Sequence, residues 1–153
     1  MKILLAIEDS SCSDAAVEMV ARRTWPAGAE VRVISVVKPF APLASAPSRP
    51  AVEFFDEAEV AEQRRARAAV ERAAHRISRN KRPVGRLKIT TEIFLGSPKR
   101  IIIEEAERFG ADLIVLGSHD RLSLERRLLG SVSQVVAAQA ACQVEIVSTC
   151  QHV

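Results

Sequence analysis

Cysteine is scarce in this chain and unpaired. Cys12, Cys142 and Cys150 form an odd set, with no C-x-x-C spacing and no histidine pair at ligand spacing. That argues against a disulfide framework and a zinc site and leaves small buried or idle thiols. Long apolar runs are missing as well. The first, Ile3-Leu4-Leu5-Ala6-Ile7, ends in Glu8-Asp9, too short for the apolar region of a secretory signal or for a membrane span, so the expected location is the cytoplasm, with no membrane partner. Aromatic residues make up only 4% of the chain. None is interleaved with the basic stretch from Arg64 to Lys88, so a base-stacking platform is lacking and no nucleic-acid partner is expected. Charge of one sign is not in large excess either: 22 Lys and Arg against 19 Asp and Glu leave +3 and a pI near 9.0, a mild basic bias.

What remains is the composition of one globular domain, taken as residues 1–153. The chain is 48% hydrophobic and 27% charged, and at this length a domain buries roughly two thirds of the surface its unfolded form exposes. Apolar runs of strand length alternate with helix-period segments, the pattern of βαβ units around a parallel sheet. Lys2 to Ile7 and Leu113 to Leu116 are apolar almost throughout, as central strands covered on both faces must be. Leu87, Ile89, Thr91 and Ile93 alternate with Lys88, Thr90 and Glu92, which predicts an edge strand. Val31 to Val37 and Val144 to Val147 complete five strands.

Helix boundaries are also marked. Ser11 with Asp14 predicts the start of a first helix whose apolar face is Ala16, Met19 and Val20. A third helix runs from Ser97-Pro98 to Gly110. Four of the seven prolines, Pro39, Pro42, Pro47 and Pro50, fall between Lys38 and Glu53, so about 38–53 is expected to be a surface loop. The longest helix is then predicted from Phe54 to about Arg79, acidic at its start and basic at its end in accord with the helix dipole. The predicted architecture is α/β: a doubly wound, Rossmann-like, five-stranded parallel sheet with helices on both faces.

In such a sheet ligands bind beyond the carboxyl ends of the central strands, where the strand order reverses. Two segments occupy that position: Glu8-Asp9-Ser10-Ser11 after the first strand, and Gly117-Ser118-His119-Asp120 leading to Gly130-Ser131-Val132-Ser133 after the fourth. Gly130 lets backbone pass close to a ligand, and a helix opening at Ser131 presents free N–H groups and the positive end of its dipole to phosphate. Helix capping alone accounts for the serines equally well.

The run Ala111 to His119, continued by Leu128-Leu129-Gly130-Ser131-Val132-Ser133, resembles the G-x2-G-x9-G-[ST] nucleotide motif of the universal stress proteins, and the resemblance extends over almost the whole chain. Gly117, Gly130 and Ser131 fit the motif, while Asp120 stands at its second glycine. Glu8, in Ile7-Glu8-Asp9-Ser10, stands where the family commonly has the acid of Val-Asp-Gly-Ser. The resemblance implies a stress-response module binding an adenine nucleotide, ATP, with Mg²⁺ as a companion ion and no protein metal site. It places Ala6, Ile7, Glu8 and Val36 around adenine and ribose. Leu116, Gly117, His119, Asp120, Gly130, Ser131, Val132 and Ser133 fall along the rest of the ligand. It further implies a homodimer through the C-terminal strand, where Gln143 replaces the usual proline.

Asp120 is expected to weaken binding, because it adds a Cβ and a negative charge where glycine would let backbone approach phosphates. Two other readings stand beside this one: a family member that binds no ATP and acts through protein contacts, and a weak ATP hydrolase drawing on Glu8, Asp9, Asp120 and the arginines at 121, 126 and 127. A receiver domain is disfavoured, because Ile93-Phe94-Leu95-Gly96 offers no aspartate at the end of the third strand.

Overall fold

We describe a computed structural model of the chain, covering residues 1–39, 51–79, 87–118 and 130–148. Nine elements follow one another as β1 (Lys2–Ile7), α1 (Ser11–Arg22), β2 (Glu30–Val37), α2 (Ala51–Arg79), β3 (Lys88–Leu95), α3 (Pro98–Phe109), β4 (Leu113–Gly117), α4 (Ser131–Gln139) and β5 (Gln143–Val147). The strands form one sheet in the order β3-β2-β1-β4-β5, and every pair is parallel. β1 is therefore central, with β4 beside it, and β3 is an edge, as the apolar patterns predicted.

Right-handed crossovers explain the layers. The chain moves outward from β1 to β3 and then returns past β1 to β4 and β5, so its crossover helices fall on opposite faces before and after the return. Alternate residues of β1 feed the two resulting cores. Ile3, Leu5 and Ile7 pack with Ala16, Val17 and Val20 of α1 and Ala69, Val70 and Ala73 of α2. Leu4 and Ala6 pack with Ile102 and Ala106 of α3 and Val136 of α4.

Three local details differ from the sequence expectation. The N-cap of α1 is Ser10 rather than Ser11, its side chain accepting from the Ser13 N–H. Met19 is only partly buried, whereas Val17 and Ala21 are buried. α2 begins at Ala51, so Ala51 to Glu53 are helical rather than part of a loop. The chain from Pro50 onward has no further proline until Pro83, so nothing in the backbone opposes a helix there. Residues 40–50 of the expected loop lie outside the described residues.

α3 ends as expected. Gly110 adopts φ 67°, the left-handed conformation that closes a helix at little steric cost. On its way α3 buries Glu105, which is 3% exposed. A buried carboxylate requires compensation. Arg32 of β2 lies 3.5 Å away, Arg108 also pairs with it, and the Arg32 guanidinium stacks 4.3 Å from the Phe109 ring centroid.

Beyond α1, Trp25 is buried, and its indole N–H donates to the Val20 carbonyl at 2.9 Å. Arg23, whose guanidinium lies 5.3 Å from that ring, holds Glu145 of β5 through two bonds of 2.7 and 2.8 Å. Among the described residues no helix is long and apolar enough to cross a membrane.

Candidate functional site

α1 packs on one face of the sheet and α4 on the other, and the strand order reverses between β1 and β4, the position at which an open parallel sheet forms a ligand crevice beyond the carboxyl ends of its strands. Its two lips are built differently.

The first lip, Glu8-Asp9-Ser10, is closed by its own hydrogen bonds. The Ser10 N–H donates to the Glu8 carbonyl at 2.9 Å. The Ser10 hydroxyl accepts from the Ser13 N–H at 3.3 Å, and the Ser13 hydroxyl accepts from the Glu8 N–H at 2.9 Å. Two serines thus satisfy the start of α1 and fix the turn, leaving the exposed side chains of Glu8 and Asp9 at its rim.

The second lip is Gly117-Ser118 and, at the start of α4, Gly130 to Ser133. The Ser118 N–H is anchored to the Val147 carbonyl at 2.9 Å. Gly130 is the N-cap of α4 with φ −57° and ψ 155° and no side-chain cap, a conformation open to any residue. Ser131 is exposed and Val132 half-buried. Ser133 is buried on the packed side of α4 with Val136, so its backbone N–H, more than its hydroxyl, belongs to the helix opening.

The structure gathers most of the residues that the motif singled out. Ala6, Leu116, Val36 and Val132 belong to one apolar cluster on the α3/α4 face. Glu8 lies at the end of β1 and Gly117 at the end of β4. Ile7 instead contributes its side chain to the cluster on the α1/α2 face, so only its backbone is available to the crevice. His119 and Asp120 lie outside the described residues, as do the arginines at 121, 126 and 127.

Gly117 has a further reason to be glycine. A Cβ there would stand 2.5 Å from both the carbonyl carbon and oxygen of Cys12 and 2.9 Å from the Ser13 nitrogen. The first turn of α1 is backbone packed on backbone at this point, so a side chain has no room. The motif reading assigned Gly117 to the ligand; the packing contact is long-range and has no local signal.

Sequence reasoning also missed a cavity of about 240 Å³ on the α1/α2 face of β1, lined by Ile7, Glu8, Asp9, Ser13, Arg72 and Arg76 among others. Arg72 reaches Asp9 at 3.4 Å, tying α2 to the first lip, and Arg76 reaches Glu18 of α1 at 2.9 Å. Among the described residues no group of three or more His, Cys, Asp or Glu side chains is placed to hold a metal ion. Cys12 is buried in the first turn of α1. Burial pushes the half-buried Cys142 thiol above its ordinary pKa.

Comparison with known proteins places this geometry among relatives. The family profile described as "Universal stress protein family" matches residues 1–148. Universal stress protein MJ0531 of Methanocaldococcus jannaschii is 48% identical over 61 residues, 40% of this chain; the match spans only 36% of that relative's length. Among solved structures, the hypothetical protein MJ0577 has a TM-score of 0.77 at 26% identity, covering 97% of this chain and 95% of its own. Universal stress protein UspA from Lactobacillus plantarum has a TM-score of 0.72 at 27% identity, covering 96% and 97%. More distant structures share the fold: a universal stress protein in complex with cAMP, TM-score 0.63 at 20% identity over 97% of this chain and 96% of its own. Another, from Arabidopsis thaliana with AMP bound, has a TM-score of 0.63 at 18% identity over 97% and 91%.

Proposed function

The chain belongs to the universal stress protein family, and on that premise we propose that it is a cytoplasmic stress-response module that binds ATP in the crevice between β1 and β4, acting by binding and signalling rather than by strong catalysis. The observation that carries this reading is the start of α4, which lies at the strand-order reversal with no side-chain cap among the described residues. Solved relatives of the same fold with cAMP or AMP bound support an adenine nucleotide as the ligand class.

The donor set fits such a ligand. The half-buried Val36 and Val132, packed against the buried Ala6 and Leu116, supply apolar side chains suited to a purine ring. The exposed Glu8 carboxylate is chemically suited to accept from ribose hydroxyls, with the Ile7 backbone beside it. The N–H groups at Ser131, Val132 and Ser133 are suited to phosphate oxygens, helped by the positive end of the α4 dipole and the exposed Ser131 hydroxyl. Gly117 and Gly130 keep the second lip thin, and the motif adds His119 and Asp120 to the residues assigned to the ligand. A bound nucleotide supplies a phosphate chain whose charge and length the module reads, with Mg²⁺ as its counter-ion. A homodimer through the free edge of β5 belongs to the same reading.

Mass spectrometry of small molecules released on denaturing the purified protein, with calorimetric titration of ATP, tests it. An adenine nucleotide retained, or bound on titration, is the expected result. The variant Asp120→Gly should bind ATP about tenfold more tightly without Mg²⁺, since it removes a negative charge at a motif position that the resemblance assigns to the ligand, and the gain should shrink when the metal is added. Absence of binding by both proteins would favour the reading in which the module acts through protein contacts alone.

A further inference from the structure

Helix α2 is longer than the sheet it covers. Its 29 residues extend about 43 Å at 1.5 Å per residue, against about 26 Å for the eight residues of β2. Among the described side chains its buried residues are Ala66, Ala69, Val70, Ala73 and Ile77. From Glu57 to Arg65 none is buried, and Val60 is 47% exposed. The stretch from Glu57 to Arg65 therefore carries a face that nothing among the described residues covers.

One stripe of that face brings Glu57, Val60, Ala61 and Arg64 onto a common surface, as i, i+3, i+4 and i+7 spacing requires. Read in order it is acid, apolar, apolar, base, and it is symmetric about the peptide bond between Val60 and Ala61. The two charges have no means of pairing within their own helix on this stripe. The i+3 and i+4 neighbours of Glu57 are Val60 and Ala61, and the same two residues are the i−4 and i−3 neighbours of Arg64. Arg65, which borders the same surface, does form such a pair, with Glu62 at 2.9 Å. Among the described residues Glu57 and Arg64 have none.

An antiparallel copy of the same stripe satisfies both at once. A two-fold axis through the Val60–Ala61 bond sets Glu57 against Arg64 of the second copy and Arg64 against its Glu57, with Val60 on Ala61 between them. The small Ala61 side chain allows the helix axes to approach at the short end of the usual 8 to 10 Å. We propose that the projecting half of α2 is a self-recognition surface that pairs antiparallel with α2 of a second copy of this chain, about an axis at Val60 and Ala61. The contact is two turns long and lies well below the roughly 800 Å² per partner of a stable interface, so it is a weak, salt-sensitive association. It is separate from a β5 contact: α2 covers the β2 and β3 side of the sheet, away from β5. The two together join more than two chains, because each closes a different symmetry axis.

Sedimentation of the full chain at high micromolar concentration and low salt, over a charge-reversal cycle, tests the pairing. Glu57→Arg and Arg64→Glu each create two like-charge contacts across the axis and should weaken self-association about tenfold. The combined E57R/R64E chain restores opposite charges with the signs exchanged and should return to within about threefold of the parent. As a second readout, Ala61→Cys should give a cross-linked dimer with a short bis-maleimide, above the background set by the parent chain's own thiols, whereas Arg79→Cys at the far end of α2 should not. Single reversals that leave association unchanged overturn the proposal. So does a combined variant that stays as weak as the singles, or a position 61 that cross-links no better than position 79. A dimer indifferent to all the charge reversals is a β5 dimer alone and overturns it too, while leaving the β5 reading standing. A surface for nucleic acid would instead lose binding with Arg64→Glu, gain it with Glu57→Arg and show no restored self-association in the combined variant.

Discussion

The two turns at the strand-order reversal use the same residue types to opposite ends. At the β1 to α1 turn, Ser10 and Ser13 are spent on backbone N–H groups of the turn itself, and the helix start is closed. At the start of α4, Ser131 is exposed, Ser133 is packed inward and Gly130 supplies no cap, so no side chain among the described residues closes the helix start. A serine near a helix start therefore says little about anion binding. What matters is whether a side chain already satisfies the amides.

The sharpest test of how the turns depend on each other is Gly117→Ala. The new Cβ meets α1 backbone at 2.5 Å, and the expected loss is about 3 kcal/mol or more, read as a lowered urea midpoint. An alanine variant as stable as the parent would mean that β4 and the first turn of α1 are not in contact. Next in size is Ser13→Ala. It removes the acceptor of the Glu8 N–H and should cost about 1 to 2 kcal/mol, whereas Ser131→Ala, which breaks no cap, should cost less than about 0.5 kcal/mol. Equal losses at the two positions would erase the contrast between closed and open starts.

Ser131→Glu separates stability from binding. A carboxylate at the first turn of α4 should stabilise the helix by about 0.3 to 1 kcal/mol. By occupying the open amides it should also weaken ATP binding by about tenfold, or about 1.4 kcal/mol; tighter or unchanged binding would place the phosphates elsewhere. The smallest effect is expected at Arg72→Ala. Its pair with Asp9 is solvent-exposed at both ends, so thermal unfolding should shift by the equivalent of no more than about 0.5 kcal/mol, because the serines rather than this pair hold the first lip.

The central position of β1 and β4 was legible because both lack the polar alternation that marks β3. The ends of α3 were legible because Pro98 and Gly110 act on the backbone locally. The cap of α1 was misplaced by one residue. Ser10, Ser11 and Ser13 are all competent acceptors, and the choice among them depends on where the Glu8 N–H points after β1 has joined the sheet. The start of α2 was placed three residues late, because proline density marks a loop without saying where its last residue falls.

At the site, the pattern of glycines and serines located both lips, but it could not tell a ligand glycine from a packing glycine. Gly117 is required by Cys12 and Ser13, which are remote in sequence. The inward side chains of Ile7 and Ser133, and the cavity shared by α1 and α2, likewise depend on which helix lies on which face.

Trp25 gives the molecule an optical gauge of its own. The chain has one tryptophan and no tyrosine, so fluorescence excited in the indole band arises from a single place. That ring is 6% exposed and bonded to the Val20 carbonyl past the end of α1, at the opposite end of the sheet from the crevice. Its emission should be blue-shifted in the folded protein and move to the red as α1 detaches. A nucleotide at the crevice should leave it nearly unchanged, so a titration and an unfolding curve can be recorded on one sample without either signal contaminating the other.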